Sequence, residues 1–415
     1  MLSLYLSALT IVAPLQEAPA TTELAREIPP GRLIVVGQFD ASITVADPQT
    51  GEVLARLDTG LRPDEVVASP DGRHAYVMIY GGQNAGQQIA AVELEGEPRL
   101  GAIHDLPGLA RPHGCEWVGD RLWFTAEANA CVARFDPQAG QVDAVFGHGG
   151  AAGHMLAFDE VSERIFVANV LSQDCSVIDL RSPAHRVTRI ELPAAQPEGL
   201  ACAPDGKEVW FAHRQGGVLS ILDTQKLEVS GTVEIGGLPF RLAFTPQGAL
   251  YASDAVGGTL VELDPAKREV ARRIQLGGAG TGFVLHPSGD WAAISMANED
   301  EAAIVDLVRG EVVKRIPVGD HPDGIAWALP AGTIPAAGPA ATRQAGFLGV
   351  FPRFVSRKRR VALGGDFEGG VLVQGLHDQG GARAAGIGVG DVLLTLDGET
   401  LEGPKHFTEL LAGRR

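Results

Sequence analysis

Apolar residues fall in short runs along this chain, and most runs stop at a turn residue. The stretch "IFVANVLSQDCSVIDL" (165–180) shows the unit: an apolar run, a polar gap, then a second apolar run closing on Asp179. Helix-favouring runs are scarce, while 53 glycines and 26 prolines supply joints, so the pattern predicts many short strands linked by turns. The strand that ends in a carboxylate recurs at Asp47, Glu93, Asp136, Asp179, Asp223, Asp264 and Asp306. Successive steps lie between 41 residues (Asp223 to Asp264) and 46 (Asp47 to Glu93). A near-constant period of that size suits a four-stranded propeller blade.

A second landmark keeps the same beat. A Pro- or Gly-led strand followed by a turn appears as "RPDEVVASPDG" (62–72), "RPHGCEWVGD" (111–120), "GHMLAFDE" (153–160) and "QPEGLACAPDG" (196–206). It continues as "LPFRLAFTPQG" (238–248), "GTGFVLHPSG" (280–289) and "HPDGIAWALP" (321–330). The last copy has no further blade after it, and the first repeat, at 32–58, lacks such a leading strand. Residues 322–327 are therefore expected to complete the first blade, joining the two ends of the ring and leaving no open sheet edge. The expected fold is an all-β seven-bladed β-propeller over residues 31–328. Blades stacked face to face cover inner strands on both sides, which explains near-continuous apolar runs such as "AYVMIY" and "VWFAH". The seven carboxylates are read as turn-forming groups that accept backbone N–H bonds two residues on.

"IFVANVLSQDCSVIDL" resembles the YVTN-type β-propeller repeat, and the resemblance extends in weaker form over the whole of 31–328. It implies the fold. The related propellers are secreted and surface-layer proteins, and the broader seven-bladed group includes lactonases and streptogramin lyases. Beyond an Ala/Pro/Gly-rich linker at 329–345 the periodicity changes. "ARAAGIGVGDVLLTLDGETL" (382–401) and "GFLGV" (346–350) resemble a PDZ domain of bacterial periplasmic type, a small α+β unit expected over 346–415. The resemblance places Phe347, Leu348, Gly349 and Val350 in a loop that captures a peptide's C-terminal carboxylate. Two departures stand out. Pro352 falls where the peptide-pairing strand should begin, and Arg415 comes before the last strand such domains carry, so that strand is expected to be missing.

Charge narrows the partners. The net charge of −17 disfavours nucleic acid and anionic lipid. At the N-terminus, Leu2–Ala13 is too short to span a bilayer, and with Ala18-Pro19-Ala20 it reads as a signal peptide over 1–20 without a basic n-region. The protein is therefore expected to be exported, periplasmic or extracellular, with no integral span after signal removal. Cys115, Cys131, Cys175 and Cys202 form no C-x-x-C pair and are expected as small buried hydrophobes.

Chemistry in a propeller is expected in the central channel, at the start of each leading strand. The residue after the leading Pro or Gly is Asp64, His113, His154, Glu198, Phe240, Thr281 or Asp323. His113, His154 and Glu198 are the candidate catalytic residues, and with Asp323 the candidate ligands of a divalent cation. No other cofactor is expected. The "Asn" slot of the repeat holds Gly37, Ile79, Ala126, Asn169, His213, Asp254 and Met296, which form no consistent oxygen-ligand set. No G-x-S-x-G, H-E-x-x-H or P-loop occurs. The leading expectation is an exported scaffold that binds proteins through the propeller face and peptide tails through the PDZ-like unit. The alternative is a metal-dependent propeller lyase or lactonase acting in the channel.

Overall fold

The computed structural model of the chain describes residues 26–330 apart from Pro183, and in the C-terminal part 350–355, 369–376 and short stretches between 387 and 410. Seven four-stranded antiparallel sheets make up the propeller. Blade I combines the late strand Pro322–Ala328 with Arg32–Gly37, Ser42–Ala46 and Val53–Asp58. Blades II to VII begin with Pro63–Ala68, Pro112–Val118, Gly153–Asp159, Pro197–Cys202, Pro239–Phe244 and Gly280–Leu285. Each leading strand lies against the next, and that of blade VII against Pro322–Ala328, so the ring closes as expected. The closing strand pairs antiparallel with Arg32–Gly37, Trp327 opposite Leu33 and Ile325 opposite Val35.

There is no single core. Seven apolar clusters each draw on two neighbouring blades, from Ile34, Val45 and Val77 between I and II to Leu33, Trp291 and Trp327 between VII and I. Second strands such as Arg164–Asn169 and Glu208–His213 are buried on both faces, whereas outer strands such as Glu228–Glu234 alternate exposed and covered positions. The turn reading of the repeated acids holds for six of the seven. Asp47, Asp136, Asp179, Asp223 and Asp306 accept the backbone N–H two residues on, and Asp264 that of Lys267, three on. Glu93 departs from the rule, forming an ion pair with Arg99. All four cysteines are free, Cys131 and Cys175 buried and the other two partly so.

Every leading strand is irregular near its start. Register shifts fall after Pro63, Pro112, Gly153, Pro197, Pro239 and Gly280, and blade I shows its own between Val35 and Gly37, opposite Pro322. Such a bulge breaks strict alternation and re-aims side chains. The glycine at the third position of several leading strands lets the next blade close in. A Cβ on Gly114, Gly199, Gly282 or Gly324 would lie between 2.2 and 2.6 Å from a backbone oxygen of the following leading strand.

In the C-terminal part Val350–Phe354 pairs with Val371–Leu376, with Pro352 beside a register shift. Val371, Leu401 and Phe407 form a small core. The proposed signal at 1–20 and the loop residues Phe347, Leu348 and Gly349 lie outside the described residues, as do 331–345 of the linker; Val350 opens the first of these strands. No helix among the described residues is long and apolar enough to cross a membrane.

Candidate functional site

At one end of the channel the leading strands bring together the residues expected there and several others. His113 and His154, from blades III and IV, stack with ring centroids 3.8 Å apart. His154 is held at both nitrogens, Nδ1 2.9 Å from Glu127 Oε2 and Nε2 2.8 Å from Glu198 Oε1. His113 Nε2 lies 3.5 Å from Asp64 Oδ2. Gln38 Nε2 donates to Asp64 and, at 2.9 Å, to Asp323 Oδ2, tying blades I and II. Of the seven positions named from sequence, Asp64, His113, His154, Glu198 and Asp323 thus join one network. Thr281 instead bonds backbone oxygens of Ser295 and Pro322, and the Phe240 ring carries the guanidinium of Arg241 at 4.6 Å.

Sequence reasoning missed the residues that complete this network. Arg241, 6% exposed, donates through Nη1 to Glu198 Oε1 at 3.1 Å and through Nη2 to Glu65. Both Arg241 and Glu65 stand third in their leading strands, one place beyond the position inspected. The bulge there lets second and third residues reach the same network. The other omissions follow the second strands. The residues just past the "Asn" slot include Gln38, Tyr80, Glu127 and Arg214, and all four join the cluster. A shift of one position in each register would have named them.

The outer layer is cationic although the chain is strongly acidic. Arg62 and Arg111 lie over the Tyr80 ring at 5.6 and 4.7 Å, and Arg214 reaches Glu198 Oε2 at 3.4 Å. The side chains of Arg62 and Arg214 are 34% and 41% exposed. Tyr80 donates its hydroxyl to Glu127 Oε1 at 3.0 Å. Glu127 itself sits in the short 3₁₀ turn Glu127–Asn129, ended by left-handed Ala130. The leading strands of blades III, IV, V and I are entered through non-glycine left-handed residues, Arg111, Ala152, Gln196 and His321. Such conformations cost about 1 kcal/mol or more and persist where the surroundings fix them.

Protonation follows from this geometry. Burial alone would lower the His154 pKa, but Glu198 and Glu127 outweigh it and raise it to about 10. The ring is therefore an imidazolium at neutral pH. Burial would raise Glu198, yet His154, Arg241 and Arg214 bring it down to about 2. Burial, with the positive charges of His154 and Arg241, keeps His113 neutral. Burial raises Asp64 to about 6 against the pull of Arg62, and Asp323 to about 8 against that of Arg241.

These residues do not fit a divalent cation. Glu198 already receives His154, Arg214 and Arg241, Asp64 receives Gln38 and Arg62, and both ring nitrogens of His154 already face carboxylates. Among the described residues no group of three or more His, Cys, Asp or Glu is arranged to hold a metal ion. His113, His154, Glu198 and Asp323 do converge, but as a hydrogen-bonded charge network.

No family model and no curated protein matches this sequence. Solved structures resemble its fold. The periplasmic gluconolactonase of Pseudomonas aeruginosa superposes with a TM-score of 0.59 at 16% identity, covering 72% of this chain and 99% of its own. A putative 6-phosphogluconolactonase from Bacteroides uniformis gives 0.59 at 17% identity, with 72% and 99% covered. Virginiamycin B lyase from Staphylococcus aureus gives 0.52 at 13% identity, covering 62% of this chain and 84% of its own. At such identities the likeness shows the fold alone.

Proposed function

We propose that the channel mouth hydrolyses a small anionic lactone, the lactonase reading without its metal. One observation carries it: a stacked histidine pair, one member held at both ring nitrogens by carboxylates, flanked by part-exposed arginines on an acidic protein. The neighbours named gluconolactonase and 6-phosphogluconolactonase add support at the level of fold. Arg62 and Arg214 attract and orient the anionic group of the substrate. Glu127, the outward carboxylate of the clamp, takes a proton from water as its oxygen attacks the acyl carbon. The ring C–O bond then breaks, and the same proton passes to the departing alkoxide. His154 is a positioning residue: both its N–H groups are engaged, and it fixes Glu127 against Glu198. The test is a pH-stat assay over aldonolactones with and without phosphate. Glu127→Gln and His154→Gln should each lose about 10²-fold or more in kcat/KM with an unchanged circular dichroism spectrum. A native chain inert across the panel sinks the reading.

We further propose a PDZ-like peptide-binding unit in the C-terminal part, on the sequence resemblance of 346–350 and 382–401. Export belongs to the same proposal.

A further inference from the structure

The channel network passes from blade to blade. His113 of blade III faces Asp64 of II, His154 of IV is held by Glu127 of III and Glu198 of V, and Arg241 of VI donates to Glu198. One contact differs in kind. Arg241 Nη2 also donates to Glu65 of blade II, on the far side of the ring. With it the contacts close on themselves, from Asp64 through His113, the stacked His154, Glu198 and Arg241 back to Glu65. The crossing side chain is anchored at its base, where the Arg241 N–H donates to Ser253 Oγ at 3.1 Å and that hydroxyl donates to Thr281 O at 2.7 Å. The Phe240 ring backs its guanidinium, a planar fork that holds two acids at a fixed angle. Its Nη1 reaches Glu198 Oε1, the same oxygen that lies 2.8 Å from His154 Nε2. The place of Glu198 therefore sets that of His154, whose other ring nitrogen meets Glu127.

We propose that Arg241 and Glu65 are positioning residues, a strut across the channel axis that fixes Glu198 and, through His154, the base Glu127. Glu65 acts at a distance, since it reaches the histidine through Arg241 and Glu198 in turn. The role of Glu127 as base rests on the lactonase reading; the alignment of His154 by the strut does not.

The test pairs kinetics of the full-length chain on the lactone panel with nitrogen-15 NMR of the histidine rings, His154 being assigned by its loss in His154→Gln. Glu65→Leu cuts the strut at the end away from the histidine. It should lower kcat about tenfold or more, leave KM within about threefold of native, and shift both ring-nitrogen resonances of His154. Arg241→Gln should do the same. Arg241→Lys keeps the charge but cannot hold two acids in one plane, so it should recover part of the loss. A pair that serves stability alone would lower the melting midpoint of chains whose kcat and His154 resonances stay native, and that result overturns the proposal. So would failure of both Glu65→Leu and Arg241→Gln to fold, since the pair would then serve the fold and not the site. Should the native chain turn over no lactone, the lactonase reading falls, and the His154 resonances decide the strut by themselves.

Discussion

His154 shows how much one side chain depends on its setting. Its raised pKa means the native state holds the proton more tightly than the unfolded chain does. That contribution to stability is complete below the ordinary value of 6.5 and is lost as pH climbs through about 10. Glu198 has the opposite sign: its contribution is complete above 4.5 and is lost as pH falls towards about 2. Asp323, raised from 3.8 to about 8, keeps its proton where the unfolded chain gives it up, so the native state loses stability as pH rises across that interval. The melting midpoint should therefore fall steadily from about pH 6.5 to 10. His154→Gln should flatten the part above pH 8, and Asp323→Asn the part below it, a division that scanning fluorimetry across buffers would resolve. A profile indifferent to both substitutions would show that neither group is coupled to folding as described.

At the scale of the element, the leading strand does two jobs in its first three residues. Its bulge turns two successive side chains towards the channel, while glycine at the third place in other blades admits the neighbouring backbone. Gly199 faces the strand that carries Arg241: an added Cβ would stand 2.5 Å from Phe240 O and 2.7 Å from Arg241 Cα. Gly199→Ala is expected to cost roughly 1–3 kcal/mol in urea unfolding, because a packed strand must shift. It should also displace Arg241 and so weaken any channel activity more than the same change at Gly147, where a Cβ meets open space. Equal effects at the two glycines would remove the packing argument.

For the whole molecule, closure is the decisive event. Residues 322–328 return after the entire ring to pair with 32–37, and Arg26 adds ion pairs to Asp290 and Asp306 at 2.7 and 2.8 Å. Without the late strand, blade I presents an unpaired edge and two apolar clusters lose Ile325, Ala326, Trp327 and Ala328. A chain ending at Gly319 should elute as aggregate and lack a cooperative melt, whereas one ending at Pro330 should melt as a folded propeller. A native-like melt of the shorter chain would mean that the ring does not depend on its splice.

The strand-and-turn rule was legible in the sequence, because it repeats. Strand, turn and carboxylate recur along the chain, so the period, the seven blades and the late strand's pairing with the first blade follow from spacing and apolar runs alone. Five channel residues were legible for the same reason, since Asp64, His113, His154, Glu198 and Asp323 occupy one slot of the repeat. What the tertiary structure alone decided is how unlike blades answer one another across the axis. Arg241 and Glu65 meet over 176 positions of sequence, Glu127 clamps a histidine of the next blade, and a guanidinium sits where the spacing suggested a metal. Periodicity reports what each repeat shares. A site is made from the differences between repeats, and only closing the ring brings those differences within bonding distance.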